Sequence, residues 1–171
     1  EAKEEDGFTT IGVPGVVKGL LELHQSCGVL PLEVVMVPAI NYAKNGFQLL
    51  TDEADRIKSA KKELELFPST KKHFFKNDSL FKGGEVFVQP NLASTLEEIA
   101  LDKGKSFYQG TTAVNLSKEI QTGGGSLTLT DLANYKTQNS TIHKGNYRGY
   151  EIYSLGMPSY GAVVIEMLQM L

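Results

Sequence analysis

Residues 162–171 read Ala-Val-Val-Ile-Glu-Met-Leu-Gln-Met-Leu, a run in which Glu166 and Gln169 are the only polar members. A helix built from it is apolar on nearly every side, and such a helix belongs inside a core. Each large side chain left in water forfeits roughly 1.5–3 kcal/mol of burial. The run reaches Leu171 with no glycine stop, polar cap or further element to cover it. The sequence therefore predicts a truncated helix over about 159–171. Its cover is expected from polypeptide outside these residues or from self-association through the helix itself.

Hydrophobic residues make up 41% of the chain and charged residues 22%, the balance of a soluble globular domain. At 171 residues a single domain is the expectation. A net charge of -3 supplies no basic field for a phosphate backbone, so nucleic acid is not an expected partner. One cysteine, Cys27, allows no intramolecular disulfide. No apolar stretch is long enough to span a membrane, and residues 1–6 are acidic rather than a basic leader.

Helical periods dominate residues 12–135. Pro14 suits the first turn of a helix that Gly28 would end in the left-handed conformation, with Val16, Leu20, Leu23 and Cys27 forming a buried stripe. A second helix over about 32–44 is closed by Asn45-Gly46, and Pro38 predicts a kink or a break into two. A third, capped by Thr51 or Asp52, carries Ile57, Ala60, Leu64 and Phe67 and stops at Pro68. Residues 69–89 read as loops with a short extended segment around Val86 and Val88. Pro90-Asn91 opens a fourth helix ended by Gly104, and Ala113, Leu116 and Ile120 mark a fifth, stopped by Gly123 to Gly125. Thr128 and Asp131 form a capping-box pattern. The β signal is a hairpin over about 141–155 that turns at Arg148-Gly149.

Taken in order, the punctuating motifs resemble the γ-glutamyltransferase (γ-glutamyltranspeptidase) family. They are Gly12-Val13-Pro14-Gly15 with Gly19, Pro31-Leu32, Pro38-Ala39-Ile40, Ala43 to Phe47, Gln89 to Leu96, Phe107-Tyr108-Gln109-Gly110, Gly124-Gly125, Leu127-Thr128, Asp131 to Tyr135, Tyr147 to Ser154, and Pro158 to Gly161. Singly they are weak, and their shared order over nearly the whole chain is specific. The resemblance implies a mainly helical α+β piece of the four-layer αββα fold of N-terminal-nucleophile hydrolases, from the middle of the large subunit. It implies a precursor that cleaves itself, so that a threonine hydroxyl attacks a γ-glutamyl donor such as glutathione with its own amine as base. Backbone donors hold the oxyanion, water or an amino acid or peptide resolves the acyl-enzyme, and no cofactor is required. Its implied partners are the rest of the large subunit and the small subunit, and its implied location is periplasmic or extracellular. The arginine that holds the substrate carboxylate is expected before Glu1 and the nucleophile, in a Thr-Thr-His-like motif, beyond Leu171. No catalytic, cofactor-binding or metal-ligating residue therefore carries over to a number in this chain. In place of the family's proline-rich run before Ser-Ser-Gly-Gly stands Gly156-Met157-Pro158-Ser159-Tyr160-Gly161-Ala162. The alternative to an enzyme piece is a non-catalytic helical interaction or ligand-binding module derived from that fold.

The remaining candidates have plainer readings. Thr111-Thr112 precedes alanine and opens a helix; His24, His73 and His143 lack close ligand spacing; Cys27 reads as a buried thiol. Ser159 reads as a helix cap, and Gly123 to Gly125 as a terminator rather than an anion cradle. Glu97-Glu98, Asp52 with Asp55, and Lys71, Lys72 and Lys76 read as solvated faces. Asn77, Asn115 and Asn139 each begin a glycosylation-type triplet, a pattern frequent by chance.

Overall fold

The computed structural model describes residues 7–171, and the acidic residues 1–6 lie outside the described residues. The chain is mainly helical and divides into two compact units, the first ending at Tyr135 and the second running from Lys136 to Leu171. Residues 135–141 form neither helix nor strand, and the ribbon that follows them pairs within itself.

In the first unit a 3-10 turn, Phe8–Thr10, precedes α1 (Val16–Cys27), α2 (Leu32–Asn45), β1 (Phe47–Gln48), α3 (Thr51–Ser59), α4 (Lys61–Glu65) and α5 (Pro68–Phe74). Next come β2 (Phe75–Lys76), β3 (Ser79–Leu80), β4 (Val86–Phe87), α6 (Pro90–Asp102), α7 (Lys105–Gln109), α8 (Thr111–Thr122) and α9 (Leu129–Asn134). β1 pairs antiparallel with β4, Phe47 opposite Phe87, and β2 with β3, Phe75 opposite Leu80. The core is built from Tyr108, Ala113, Ile120, Leu127 and Leu132, with Phe8, Val17 and Leu116 packed around it. Gly123 and Gly125, the expected terminators of α8, also leave room for Phe8, which a Cβ at either position would strike.

Several expectations are corrected here. α1 begins at Val16 rather than Pro14, because the Tyr108 hydroxyl stands between the Pro14 carbonyl and the Lys18 amide, where the first helical hydrogen bond would form. Its inner face is Val17, Leu21 and His24, while Val16, Leu20 and Leu23 are 73%, 60% and 60% exposed and Cys27 is exposed too. The helix is apolar on two sides, and the stripe chosen from sequence is the outer one. Gly28 is extended (φ -70°) rather than left-handed, and glycine is needed there because a Cβ would overlap His24. α2 runs through Pro38 as one helix and ends at Gly46 with φ 80°. α3 is capped by the Glu53 carboxylate, which accepts the Leu50 amide at 2.9 Å, rather than by Thr51 or Asp52, and the helical stretch breaks at Ala60. Pro68 opens α5. The short extended segment expected around Val86 and Val88 is β4, while the stretch read as loops carries α5, β2 and β3 and joins an aromatic cluster, with Phe47, Phe74 and Phe81 packed around Phe87 at centroid distances of 6.0, 5.7 and 5.2 Å.

The second unit follows its local signals closely. β5 (Ile142–Tyr147) and β6 (Tyr150–Leu155) pair with Tyr147 opposite Tyr150, and the turn residues Arg148 and Gly149 have φ of 48° and 87°, the double positive φ of a tight hairpin. α10 (Gly161–Gln169) packs on this ribbon. A Cβ on Gly145 would overlap Ile165, and one on Gly161 would overlap the Leu155 carbonyl and Ser154. Ser159 is not the cap: its amide donates to Gly156 at 2.9 Å, and no side chain caps α10.

Candidate functional site

One polar junction of the first unit joins three of the punctuating motifs. Tyr108, on the short α7, is buried; its hydroxyl accepts the Lys18 amide at 2.9 Å and donates to the Pro14 carbonyl at 2.7 Å. Its ring stacks on Tyr135 with centroids 6.2 Å apart and planes 6° apart, and the Lys18 ammonium lies 5.9 Å from the ring centre. Gly15 is glycine because a Cβ would overlap the Tyr135 hydroxyl. Burial raises the Tyr108 phenol above its ordinary value, against the opposing pull of the Lys18 amide and with help from Tyr135 and Glu22. A protonated phenol bound to a peptide carbonyl ties the entry of α1 to α7. It is not poised to give or take a substrate proton at neutral pH.

Hydroxyls donate to carboxylates in the first unit, as the Tyr153 hydroxyl does to Glu151 at 2.8 Å in the second. Ser106 bonds Asp102, Thr112 bonds Glu98 at 3.0 Å, and Thr128 bonds Asp131 at 2.7 Å. Burial pushes the Asp102 carboxyl up, yet the Ser106 hydroxyl and the amides of Ser106, Gly104 and Lys105 together hold it below the usual aspartate value. The Thr128 hydroxyl and amide lower Asp131 in the same way. A carboxylate whose basicity is spent on its own turn is a poor general base. Asp102 and Asp131 therefore act as helix-end ties, and the Thr128–Asp131 capping box matches the sequence pattern, with the Asp131 amide reaching the Thr128 hydroxyl at 3.1 Å.

A cleft of about 480 Å³ opens beside α1 and the start of α2. Lys18, Glu22, His24, Glu33 and Lys103 line it, so it presents both signs of charge. His24 Nε2 is engaged with the Leu30 carbonyl at 2.8 Å, across the turn between the two helices.

The candidates named from sequence remain scattered. Thr111 and Thr112 open α8 behind Gly110, His73 lies exposed on α5, and His143 lies exposed on β5 opposite Ser154. Cys27 is exposed, contrary to the buried thiol expected, because the stripe that carries it faces outward. Glu97 pairs with Lys44 at 2.9 Å, Lys71 with Asp78 at 3.0 Å and Lys76 with Glu85 at 3.8 Å. Asn77, Asn115 and Asn139 are all exposed, and Asn115 lies on α8 with the buried Ser117 two residues on. Among the described residues no group of three or more His, Cys, Asp or Glu side chains is placed to hold a metal ion. Sequence reasoning missed the Tyr108 tie, whose partners lie 90 and 94 residues away and leave no local signal. It also missed Asp102–Ser106, although an acid four residues before a serine at a helix break is legible in hindsight.

Residues 1–171 match the family model described as gamma-glutamyltranspeptidase. The glutathione hydrolase proenzyme of Escherichia coli (strain K12) is 38% identical over 162 residues, covering 94% of this chain and 28% of the relative. The capsule biosynthesis protein CapD proenzyme of Bacillus anthracis is 34% identical over 160 residues, covering 94% and 29%. The crystal structure of Helicobacter pylori gamma-glutamyltranspeptidase superposes with a TM-score of 0.90 at 36% identity, over 96% of this chain and 48% of that one. The chain thus spans about 28% of the length of the first curated relatives it matches. With the ordered motifs, the Tyr108 junction that ties three of them together and the match along its whole length, the chain belongs to the gamma-glutamyltranspeptidase family.

Proposed function

We propose that these residues are part of the large subunit of an enzyme that transfers γ-glutamyl groups, from donors such as glutathione, to amino acids, peptides or water. Support comes from the family match over residues 1–171 and from relatives named glutathione hydrolase proenzymes. On this reading the four-layer αββα fold is completed by the rest of the large subunit and by the small subunit of the same precursor. The threonine nucleophile lies outside these 171 residues, and the longer protein works in the periplasm or outside the cell. The described residues contribute scaffold rather than chemistry, with Tyr108 fixing the entry of α1 and the Thr128–Asp131 box fixing α9.

A chromogenic γ-glutamyl amide tests the proposal. The longer protein is expected to release chromophore, with threonine acylation as a trappable step, and the 171-residue chain alone is expected to release none. Turnover by the isolated chain would contradict the scaffold role. A longer protein that folds and cleaves itself yet never acylates would favour the non-catalytic module.

A further inference from the structure

We propose that the outer faces of α1 and α2 form a buried interface in the longer protein, covered by apolar side chains from its polypeptide outside these 171 residues. The inference rests on the chain being part of a longer family member. Val16, Leu20 and Leu23 recur at i, i+4 and i+7 and are 73%, 60% and 60% exposed, with Cys27 one turn further along the same stripe. On α2, Val34, Val35 and Val37 stand about half exposed, while Ala43 on the opposite side is buried.

Single exposed apolar residues are ordinary, but a helix whose apolar arc runs well past the face its neighbours cover is built to be packed on more than one side. The neighbouring helices make the contrast. α3 presents Asp52, Asp55, Arg56 and Lys58 outward, and α8 presents Asn115, Lys118 and Glu119, as solvent-facing helices do. Neither helix is long and apolar enough to cross a membrane. Polypeptide is in ample supply, since the matched relatives hold most of their length outside the region shared with this chain. The stripe carries no charge to pair, which calls for an apolar partner surface.

Cys27 is a native reporter of this face. In the folded longer protein, maleimide labelling of the Cys27 peptide, followed by mass spectrometry, is expected to be at least about 100-fold slower than in the same protein unfolded in urea. Labelling within about threefold of the unfolded rate overturns the proposal. Protection that disappears on dilution identifies a second copy as the cover and overturns it as well. The variant Leu20→Asp is expected to cut Cys27 protection at least about tenfold in whatever soluble fraction remains, and unchanged protection contradicts the proposed contact. Labelling does not depend on turnover. A folded longer protein without γ-glutamyl activity can still show the interface, and an active one with a freely reactive Cys27 sinks this inference alone.

Discussion

Ala113 and Leu132 in the first unit have no exposed surface, whereas the buried residues of the second are two glycines, Gly156 and Gly161, and one isoleucine, Ile165. Both units satisfy their local rules. Capped helices and glycine stops shape the first, and a well-registered hairpin with a helix on it shapes the second. They differ in what lies beneath those elements. Chain from Phe8 to Tyr135 closes a core around Ile120 and Leu132, while residues 136–171 have one face of a ribbon to cover one face of a helix. Segments this short seldom bury enough surface to be stable alone. Met157, Tyr160, Met170 and Leu171, each about 80% exposed, are the cost. Local correctness and core formation are separate achievements, and the second unit has the first without the second.

Substitutions can break or sharpen that contrast, and the largest effect is expected at Leu132. Leu132→Ala removes a fully buried side chain and should destabilise the first unit by about 3 kcal/mol in urea unfolding followed by circular dichroism. A loss below about 1 kcal/mol would mean that the core is not closed within this chain. Tyr108→Phe comes next. It leaves the Lys18 amide and the Pro14 carbonyl without their shared hydroxyl, at a cost of about 1–2 kcal/mol, reduced if the two groups bond directly and extend α1 by a turn.

Acid is expected to act on the first unit through Asp102. Its folded value lies below the ordinary 3.8, so its stabilisation is complete above that value and is lost as pH falls through the lower folded one. Asp131 shifts in the same direction and adds to the same limb. Asp102→Asn should flatten the dependence of unfolding midpoint on pH below about 4. The smallest effect is expected in the second unit. Val163→Ser, at a position 49% exposed on α10, should leave the stability of this chain within about 0.5 kcal/mol of the parent. A large loss there would reveal burial that the second unit does not possess by itself.

The same contrast explains what was legible in the sequence. The Arg148-Gly149 turn, the Thr128–Asp131 box, the α6 start at Pro90 and the buried line of Ala113 and Ile120 are written within a few residues of where they act. The inner face of α1 was not, because both sides of that helix are apolar and periodicity cannot say which side meets Gly104. The aromatic cluster at Phe87 draws on rings from residues 47, 74 and 81, a grouping that no window of local pattern contains. Of the polar junction, the motifs were visible one by one, but the hydroxyl that joins them spans more than 90 residues. The family resemblance, by contrast, was legible because it resides in the order of many short turn signals rather than in any one contact.

Native-state hydrogen exchange on the 171-residue chain, resolved by peptide, tests the contrast most directly. Amides of α8 and α9 are expected to exchange only through global unfolding, while those of β5, β6 and α10 exchange at least about 100-fold faster. Equal protection across both units would show that the second has a complete core of its own and would contradict this account.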